Sequence, residues 1–265
     1  MKSVIIYNKN KRNAEQFYNE IVEQLPEIGV EVVDIEKSSE ADFFIVIGGD
    51  GTLINASKRI YTYHKPIVAV NMGSLGFMTE IKESEALQVI FDLVKGDFKT
   101  ENRYFLEVSV NGEKHYALNE IVAAKSGFPA RMVRINLFSN GEYVNTYRAD
   151  GIIISSPTGS TAYSMSAGGP IINPKLNAMV ITPIAPHTLS TRPIVVPGDD
   201  TLDIEIADDN EEIYIMIDGQ ENLRVEREDK IEIKLSTEFI NLVKPESRNY
   251  YSVLREKLKW GDDIC

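Results

Sequence analysis

The stretch Phe43-Phe44-Ile45-Val46-Ile47-Gly48-Gly49-Asp50-Gly51-Thr52 decides the fold of the first part of this chain. It opens with apolar residues that leave no polar side chain on either face, and it stops at two glycines and a carboxylate. Because successive side chains of a strand point to opposite faces, such a run suits a strand that is covered on both sides. We therefore predict a Rossmann-like parallel sheet in an α/β domain, with this strand inside it.

The turn after this strand is predicted to bind a phosphate. Ligands of open α/β sheets bind just beyond the carboxyl ends of the strands. Gly48, Gly49 and Gly51 remove the side chains that would keep a phosphate away from backbone amides. Asp50 is then the side chain at this point that can take a proton or hold a cation. The alternative is a tight strand-to-helix turn in which Asp50 only caps the next helix.

Strands and helices alternate over residues 1–100, which predicts parallel β-α-β units. A second glycine-bearing turn, residues 71–77, follows the last of these strands and should lie beside the first turn. The predicted strands are 4–7, 30–35, 43–47 and 67–70, and the predicted helices are 14–25, 53–60 and 84–95.

From about residue 101 the pattern changes to short alternating runs separated by turn residues such as Asn111-Gly112 and Asn140-Gly141. This is typical of an all-β unit built from hairpins, so we predict a β-sandwich domain over residues 101–235. A short amphipathic helix is expected near residues 251–258. The predicted strands of this part are 105–110, 116–124, 132–138, 151–155, 179–184, 201–206, 213–217 and 230–235.

Composition excludes several classes of protein. The net charge of −12 argues against sequence-independent binding to nucleic acid or to anionic membranes, since both need a basic surface. The sole cysteine is Cys265, and the three histidines are scattered, so neither a disulfide framework nor a transition-metal cluster is expected. No apolar run is long enough for a signal peptide or a membrane span, and we expect a cytoplasmic protein.

A long polar segment, residues 156–169, reads Ser-Pro-Thr-Gly-Ser-Thr-Ala-Tyr-Ser-Met-Ser-Ala-Gly-Gly and is predicted to be a binding loop. Amides near Gly159, with the hydroxyls of Thr158, Ser160 and Thr161, would form a donor-rich hollow for a pyrophosphate or a ribose. Tyr163 offers a ring face to a base. The alternative is a Ser/Thr-rich surface turn. The chain contains neither a Walker-type phosphate loop nor a Gly-x-Gly-x-x-Gly motif.

These motifs resemble those of the bacterial NAD kinases, a family that uses ATP or polyphosphate. The resemblance spans essentially the whole chain in the family's order. The matching stretches are residues 48–52, 71–77, 119–120, 148–151, 156–169, 186–193 and 218–220. The Gly-Gly-Asp-Gly-Thr turn alone is shared with lipid kinases, so the long segment after Asp150 makes the match specific.

The resemblance implies that the chain transfers a phosphoryl group from ATP to the 2′-hydroxyl of the adenosine ribose of NAD, giving NADP. Asp50 would be catalytic, accepting or orienting the hydroxyl proton. Phosphates would bind at Gly48, Gly49, Gly51 and Thr52. Contacts with NAD are predicted for Asp50, Gly51, Asn119, Glu120, Arg148, Asp150, Thr158, Thr161, Ala162, Tyr163, Ser164, Ser166, Ala185 and Gln220.

Within that set, the resemblance places Asn119, Thr161, Ala162, Tyr163 and Ser166 around the adenine and its ribose, with Glu120 accepting ribose hydroxyls. Asp150 and Ala185 would meet the nicotinamide end, in this family often across a subunit boundary, which implies a dimer or a homotetramer with a shared active site. Mg²⁺ or another divalent cation would offset the phosphate charge and bind through the phosphates, and no side chain is assigned to it as a metal ligand. The family also packs the chain's end, residues 236–265, against the first domain.

Two other functions remain open from the sequence. A lipid or sugar kinase with the same Gly-Gly-Asp-Gly turn would leave the segment 156–169 without a purpose. A non-catalytic dinucleotide sensor would use Asp50 only as a helix cap. Incubation with NAD, ATP and Mg²⁺ separates these alternatives from an NAD kinase.

Overall fold

The computed structural model describes residues 1–125, 132–188, 190–207 and 213–260. Leu189 of the motif 186–193, and the last five residues of the predicted C-terminal segment, lie outside the described residues. The helices are α1 (Ala14–Gln24), α2 (Asp50–Ile60), α3 (Glu83–Lys95), α4 (Tyr163–Ser166) and α5 (Tyr250–Leu258). The strands are β1 (Lys2–Tyr7), β2 (Glu31–Val32), β3 (Phe43–Gly48), β4 (Pro66–Asn71), β5 (Ile81–Lys82), β6 (Lys99–Val110), β7 (Glu113–Ala117), β8 (Glu120–Lys125), β9 (Val133–Ser139), β10 (Glu142–Ala149), β11 (Gly151–Ser155), β12 (Ala178–Ile184), β13 (Ile194–Pro197), β14 (Leu202–Ile206), β15 (Ile213–Ile217), β16 (Glu221–Val225) and β17 (Ile231–Lys244).

The chain forms two compact units, residues 1–102 with 239–265 and residues 103–238. The first unit is a parallel sheet in the order β2-β1-β3-β4, flanked by helices, and Asn241 and Leu242 of β17 extend it by pairing with β4. Every residue of β3 is buried, as expected for a strand covered on both faces. The predicted α/β domain is confirmed.

The second unit consists of antiparallel strands, and one core lies between its two sheets. One sheet runs β13-β12-β11-β8-β15-β16, and opposite it β10, β9, β14 and β17 pair in that order. Alternate residues of each strand enter the core, for example Ile121 and Ala123 of β8 with Ile152 and Ile154 of β11. The predicted all-β sandwich is confirmed. On the outer face of the first of these sheets, Val122 and Ile153 pack with Ala167 just after α4.

Two predicted strands are wrong in extent. The strand predicted over 30–35 is reduced to Glu31–Val32, because the chain turns at Asp34 into the 3-10 helix Ile35–Glu40. The strand predicted over 116–124 is interrupted at residues 118–119, where the backbone amides bind the carboxylate of Asp218 instead of a neighbouring strand. The chain therefore leaves one sheet at β7 and enters the other at β8.

Other differences concern elements that sequence reasoning missed or began late. The strands β10, β13 and β16 were not predicted, and β17 continues well beyond residue 235. Helix α2 begins at Asp50 rather than residue 53, so that Asp50 is its first residue. This last shift matters for the site, because it places the carboxylate at the helix N-terminus.

Candidate active site

Asp50 is fixed by the second glycine-bearing turn. Its Oδ2 accepts a hydrogen bond from the amide of Phe77 at 2.8 Å. Its Oδ1 accepts from the amides of Met78 and Thr79, at 3.2 Å and 3.0 Å, and from the Thr79 hydroxyl at 2.9 Å. The two turns therefore lie side by side, as predicted. The carboxylate holds the turn rather than the first amides of its own helix.

The glycines of the two turns differ in whether the fold has space for a side chain at their positions. An added Cβ at Gly48 would lie 2.3 Å from Thr52 Oγ1, and one at Gly76 would lie 2.1 Å from Asp50 Oδ1. These two positions need glycine because other side chains already fill the space. At Gly51 nothing lies within 4 Å of the added atom, so the fold itself leaves that position open.

A polar chain leads from Asp50 into the end of β4. Thr79 donates its hydroxyl to Asp50, and the same oxygen accepts from Asn71 Nδ2 at 2.8 Å. This arrangement fixes the orientation of the Asn71 amide. Its Oδ1 is buried and has no hydrogen-bond partner among the described residues. Thr52 is similarly engaged, since its hydroxyl oxygen accepts from Asn8 Nδ2 at 3.3 Å and weakly from the Gly49 amide at 3.5 Å.

In the second unit, Asp218 organises the backbone of the predicted adenosine-binding residues. Its carboxylate accepts hydrogen bonds from the amides of Leu118, Asn119 and Glu120, at 2.8, 2.7 and 3.2 Å. The Asp218 amide in turn donates to the Glu120 carbonyl oxygen at 3.0 Å. Asp218 has a left-handed φ of 52°, which is compatible with the tight turn before β16. This side chain therefore sets the position of Asn119 and Glu120.

The Glu120 carboxyl group is buried and incompletely hydrogen bonded. Its Oε2 has no partner among the described residues, and the residue is 8% exposed. Burial, reinforced by the nearby Asp218 charge and opposed by a hydrogen bond from the Tyr163 amide, raises the pKa of Glu120 to about 7. A buried oxygen without a partner is costly, so this atom is suited to accept a hydrogen bond from a ligand hydroxyl.

In the segment 156–169, several polar groups that were predicted to line a hollow are hydrogen bonded to the protein itself. The Gly159 amide donates to Ser156 Oγ at 3.1 Å, and the Ser160 hydroxyl donates to the Pro157 and Ile172 carbonyls. The Thr161 hydroxyl donates to the Thr158 carbonyl at 3.2 Å. The Gly159 amide and the hydroxyls of Ser160 and Thr161 therefore donate within the protein itself. They hold the segment together, because a short, buried turn must satisfy its own polar groups.

Tyr163 and Ser166 are exposed, while Ser164 is fully buried and its hydroxyl lies 2.9 Å from Thr182 Oγ1. A side-chain contact between Ser164 and NAD therefore has no support in this geometry. Thr158 is buried, Ala162 is partly exposed, and Gln220 is exposed in the turn between β15 and β16.

The structure also brings together the residues predicted for the nicotinamide end. The Asp150 amide donates to the Ile184 carbonyl at 2.9 Å, which places Asp150 beside Ala185. Ala185 has a left-handed φ of 44°, unusual for a residue with a Cβ. The His187 amide donates to the carbonyl of Arg148, whose side chain is exposed. The backbones of these residues therefore lie close together on the second unit.

Sequence reasoning missed Lys11, Asn71, Thr79 and Asp218 as site residues. A Cβ added to Gly49 would lie 3.5 Å from Lys11 Nζ, and one added to Gly73 would lie 3.9 Å from it. Lys11 follows β1, whose carboxyl end lies at the same sheet edge as the glycine turns. Its position after a parallel strand is the sequence feature that could have identified it as a site residue.

Metal and membrane features were searched over the described residues. No group of three or more His, Cys, Asp or Glu side chains there is arranged to hold a metal ion. Within the same ranges, none of the helices combines the length and the apolar character needed to cross a bilayer.

Comparisons with known proteins agree with the motifs. Residues 30–98 match the ATP-NAD kinase N-terminal domain, and residues 118–245 match the ATP-NAD kinase C-terminal domain. The chain is 41% identical over 266 residues to the NAD kinase of Fusobacterium nucleatum, covering 100% of both chains. It is 42% identical over 256 residues to an NAD kinase of a Thermoanaerobacter species, covering 94% of this chain and 89% of the relative.

Solved structures show the same architecture. An NAD kinase from Archaeoglobus fulgidus in complex with ATP is 28% identical, with a TM-score of 0.78 and coverage of 97% of this chain and 99% of that one. Yeast NADH kinase complexed with NADH has a TM-score of 0.90 at 23% identity, covering 100% and 89%, and supports the fold alone. On the family matches and full-length identity, this chain belongs to the NAD kinase family.

Proposed function

We propose that this NAD kinase transfers the γ-phosphoryl group of ATP to the 2′-hydroxyl of the adenosine ribose of NAD, with Asp50 as its catalytic residue. The observation that carries the proposal is the placement of Asp50. It is the first residue of α2, at the carboxyl edge of the parallel sheet, and its carboxylate is held by four hydrogen bonds. Such a rigid carboxylate beside helix amides suits the positioning that dominates phosphoryl transfer.

The two oxygens of Asp50 are not equivalent. Three of the four hydrogen bonds fall on Oδ1, and one falls on Oδ2. Because each carboxylate oxygen has about two lone-pair directions, Oδ2 is the atom that keeps one for a ligand. We assign to Oδ2 the hydrogen bond from the 2′-hydroxyl. The proton moves to it late, as the hydroxyl oxygen bonds to phosphorus, because an ordinary carboxylate is a weak base.

Phosphates of the substrates are assigned to the start of α2, around Gly49, Gly51 and Thr52. The N-terminus of an α-helix carries the positive end of the helix dipole, and glycines there let an anion approach the backbone, so this point attracts anions. Gly48 contributes indirectly, because its missing side chain lets Thr52 pack.

Replacing Gly51 by alanine separates the needs of the fold from those of the ligand. The variant should unfold with a free energy about 0.5–1 kcal/mol higher than wild type, because alanine is the better helix residue and the space is open. Its kcat/KM should nevertheless fall about tenfold or more, since a methyl group would hold a phosphate away from the amides. Urea unfolding and steady-state rates measure the two effects.

Asn55→Ala is the matched control for Gly51→Ala, because Asn55 is an exposed residue of the same helix. It should gain stability without losing activity. Unchanged activity in Gly51→Ala would remove this residue from the phosphate site.

The adenosine of NAD is assigned to Asn119, Glu120, Thr161, Ala162, Tyr163 and Ser166. The unpartnered Oε2 of Glu120 supports this assignment, because a ribose presents the hydroxyl donor that this oxygen lacks. Asp150 and Ala185 are assigned to the nicotinamide end of NAD. Arg148 and Gln220 are assigned as further contacts with NAD. As in the resemblance, we propose that this end is completed by a second subunit, in a dimer or tetramer.

The raised pKa of Glu120 predicts a pH-dependent stability. The folded protein holds the proton up to about pH 7, whereas an unfolded glutamate releases it near pH 4.5. Stability from this group is therefore present below pH 4.5 and is lost as the pH rises through 7. Glu120→Gln should remove that loss, which amounts to roughly 2–3 kcal/mol for a shift of this size. Urea unfolding of wild type and variant at pH 5 and pH 8, without NAD, measures the difference.

Glu142→Gln is the control for Glu120→Gln, because Glu142 is an exposed glutamate of the same unit. It should leave the pH dependence of wild type intact. A Glu120→Gln variant that keeps the wild-type pH dependence would contradict the buried, proton-retaining state of this carboxyl group.

Mg²⁺ is proposed to enter with ATP, bound through phosphate oxygens. The described side chains offer no ligand cluster for it, and the Asp50 oxygens are largely occupied by hydrogen bonds. The ion supplies neutralisation of phosphate charge, which matters in a chain of net charge −12.

The proposed function is tested by incubating the purified protein with NAD, ATP and Mg²⁺ and measuring NADP with an NADP-specific dehydrogenase. NADP formation is expected. Turnover on diacylglycerol or a sugar, with none on NAD, would instead indicate the lipid or sugar kinase. NAD binding without turnover would indicate the sensor. Parallel reactions with polyphosphate and with NADH define the donor and acceptor range.

A further inference from the structure

The turn that binds the Asp50 carboxylate is itself held by residues from the far end of the chain. Its amides at positions 77–79 donate hydrogen bonds to Asp50, and Glu80 comes next. Two cations reach Glu80 from 164 and 168 residues further along the chain, Lys244 at the side chain and Arg248 at the carbonyl oxygen. All of these residues belong to the first unit. We call Lys244 and Arg248 the C-terminal clamp.

Arg248 joins the backbone of this turn to the start of α3. Its Nη1 donates to the Glu80 carbonyl oxygen at 2.8 Å and to Glu85 Oε2 at 2.7 Å. Glu85 also accepts from the Lys82 amide at 3.1 Å, in the capping box at the start of α3. The hydrogen bond from Arg248 lowers the pKa of Glu85, against the opposing effect of burial. The arginine therefore fixes the turn to the first residues of a helix.

Lys244 compensates a buried charge directly beside the turn. The Glu80 side chain is 2% exposed and accepts a hydrogen bond from Lys244 Nζ. A carboxylate buried to this degree needs a close cation, because water no longer solvates it. Lys244 is the last residue of β17, whose Asn241 and Leu242 pair with β4. The cation is therefore supplied from the end of a strand that belongs to the sheet.

The C-terminal clamp is anchored on its own side as well. Arg248 directly precedes Asn249, the N-cap of α5, whose side chain accepts from the Ser252 amide at 3.0 Å. Val253 and Leu254 of this helix are buried. Because the capped and packed helix fixes the backbone beside Arg248, the guanidinium group can hold the turn instead of moving with it.

We propose that Arg248 and Lys244 are positioning residues that keep the Asp50 carboxylate in its reactive orientation. The turn is held on both sides, by Asp50 at its amides and by the C-terminal clamp at Glu80. Loss of a clamp contact frees the peptide beside Thr79, whose amide and hydroxyl both donate to Asp50 Oδ1. Oδ2 then loses its fixed direction toward the 2′-hydroxyl. The proposal rests on the proposed function, because it takes Asp50 as the catalytic residue.

Arg248→Met should lower kcat about tenfold and change the KM for NAD and for ATP by less than about twofold, since orientation is lost but no substrate contact is removed. Rates are compared at a temperature at which circular dichroism shows each variant to be folded. Arg255→Met is the matched control, because Arg255 is an exposed arginine of α5, and it should keep the wild-type kcat. Wild-type kcat in Arg248→Met would overturn the proposal.

A double-mutant cycle with Asp50→Asn separates positioning from general stabilisation of the fold. If Arg248 acts through the Asp50 carboxylate, Arg248→Met should lower kcat by less than about twofold once Asp50→Asn is present. A loss of about tenfold in both backgrounds would contradict the proposal, because Arg248 would then act independently of Asp50.

Hydrogen exchange gives a readout that does not require turnover. The amides of residues 77–79 should exchange at least about tenfold faster in Arg248→Met and Lys244→Met than in wild type, and Arg255→Met should leave them unchanged. Unchanged exchange in both clamp variants would overturn the proposed clamp, even if NADP is formed. If wild type forms no NADP, the proposed function fails, and the exchange rates still decide whether the C-terminal clamp holds the turn.

Glu85→Gln gives a milder change for the case that a methionine variant does not fold. It weakens the anchor of Arg248 at a side chain that is 31% exposed. Exchange at residues 77–79 should rise about threefold, because a neutral amide binds the guanidinium group less strongly than a carboxylate does. A wild-type exchange rate in Glu85→Gln, together with wild-type kcat, would count against the clamp.

Discussion

Asp50→Asn is expected to lower kcat at least about a hundredfold, equivalent to about 2.7 kcal/mol of transition-state stabilisation, while NAD binding is largely kept. The physical reason is the loss of the basic oxygen that receives the hydroxyl proton. An asparagine can still accept a hydrogen bond from the ribose, so the ground-state complex suffers less than the transition state. Steady-state kinetics with NAD and ATP, together with NAD titration, measure both effects.

This variant also disturbs the turn that Asp50 holds. An asparagine has one carbonyl oxygen, and its NH₂ group would face amide donors that now bind the carboxylate. Thr79→Val provides the control, because it removes the one hydroxyl donor and leaves the carboxylate in place. Its kcat should fall by less than about tenfold. Wild-type turnover in Asp50→Asn, or equal losses in both variants, would remove Asp50 from its catalytic role.

The parallel sheet could be predicted because its signal is local. An apolar run on both strand faces, followed by glycines, is enough to place β3 inside a sheet and the ligand at its carboxyl end. The break between β7 and β8 could not be predicted, because its cause is Asp218, about a hundred residues away in the chain. A distant side chain can accept hydrogen bonds from three backbone amides without any change in the hydrophobic pattern from which a strand is predicted.

The candidate site shows a similar division. Asp50, Asn119 and Glu120 could be named from motifs, but the partners that position them come from distant turns. Glycines were the harder case, since a sequence does not tell whether a glycine makes room for a ligand or for the protein itself. At Gly48 and Gly159 other atoms of the protein fill the space that a side chain would need, whereas the space at Gly51 is open.

Gly159→Ala is expected to lower the free energy of unfolding by at least about 4 kcal/mol, above the roughly 1–3 kcal/mol typical of overpacking. The added Cβ would lie 2.0 Å from the carbonyl oxygen of Asn119 and 2.4 Å from its carbonyl carbon. Both are backbone atoms, so no side-chain rotation relieves the clash. That carbonyl also accepts the amide of Ser156 at 2.9 Å, and the Asn119 amide is held by Asp218, which ties the backbone down from two sides.

Urea unfolding followed by circular dichroism measures the effect, and Gly51→Ala is the matched control, since the same methyl group meets nothing within 4 Å there. The control should be about 0.5–1 kcal/mol more stable than wild type. Because Asn119 and Glu120 must move to admit the methyl group, any folded fraction of Gly159→Ala should also bind NAD more weakly. A loss below about 1 kcal/mol would mean that the segment around Gly159 yields easily, contrary to the close backbone packing on which the assigned adenosine site depends.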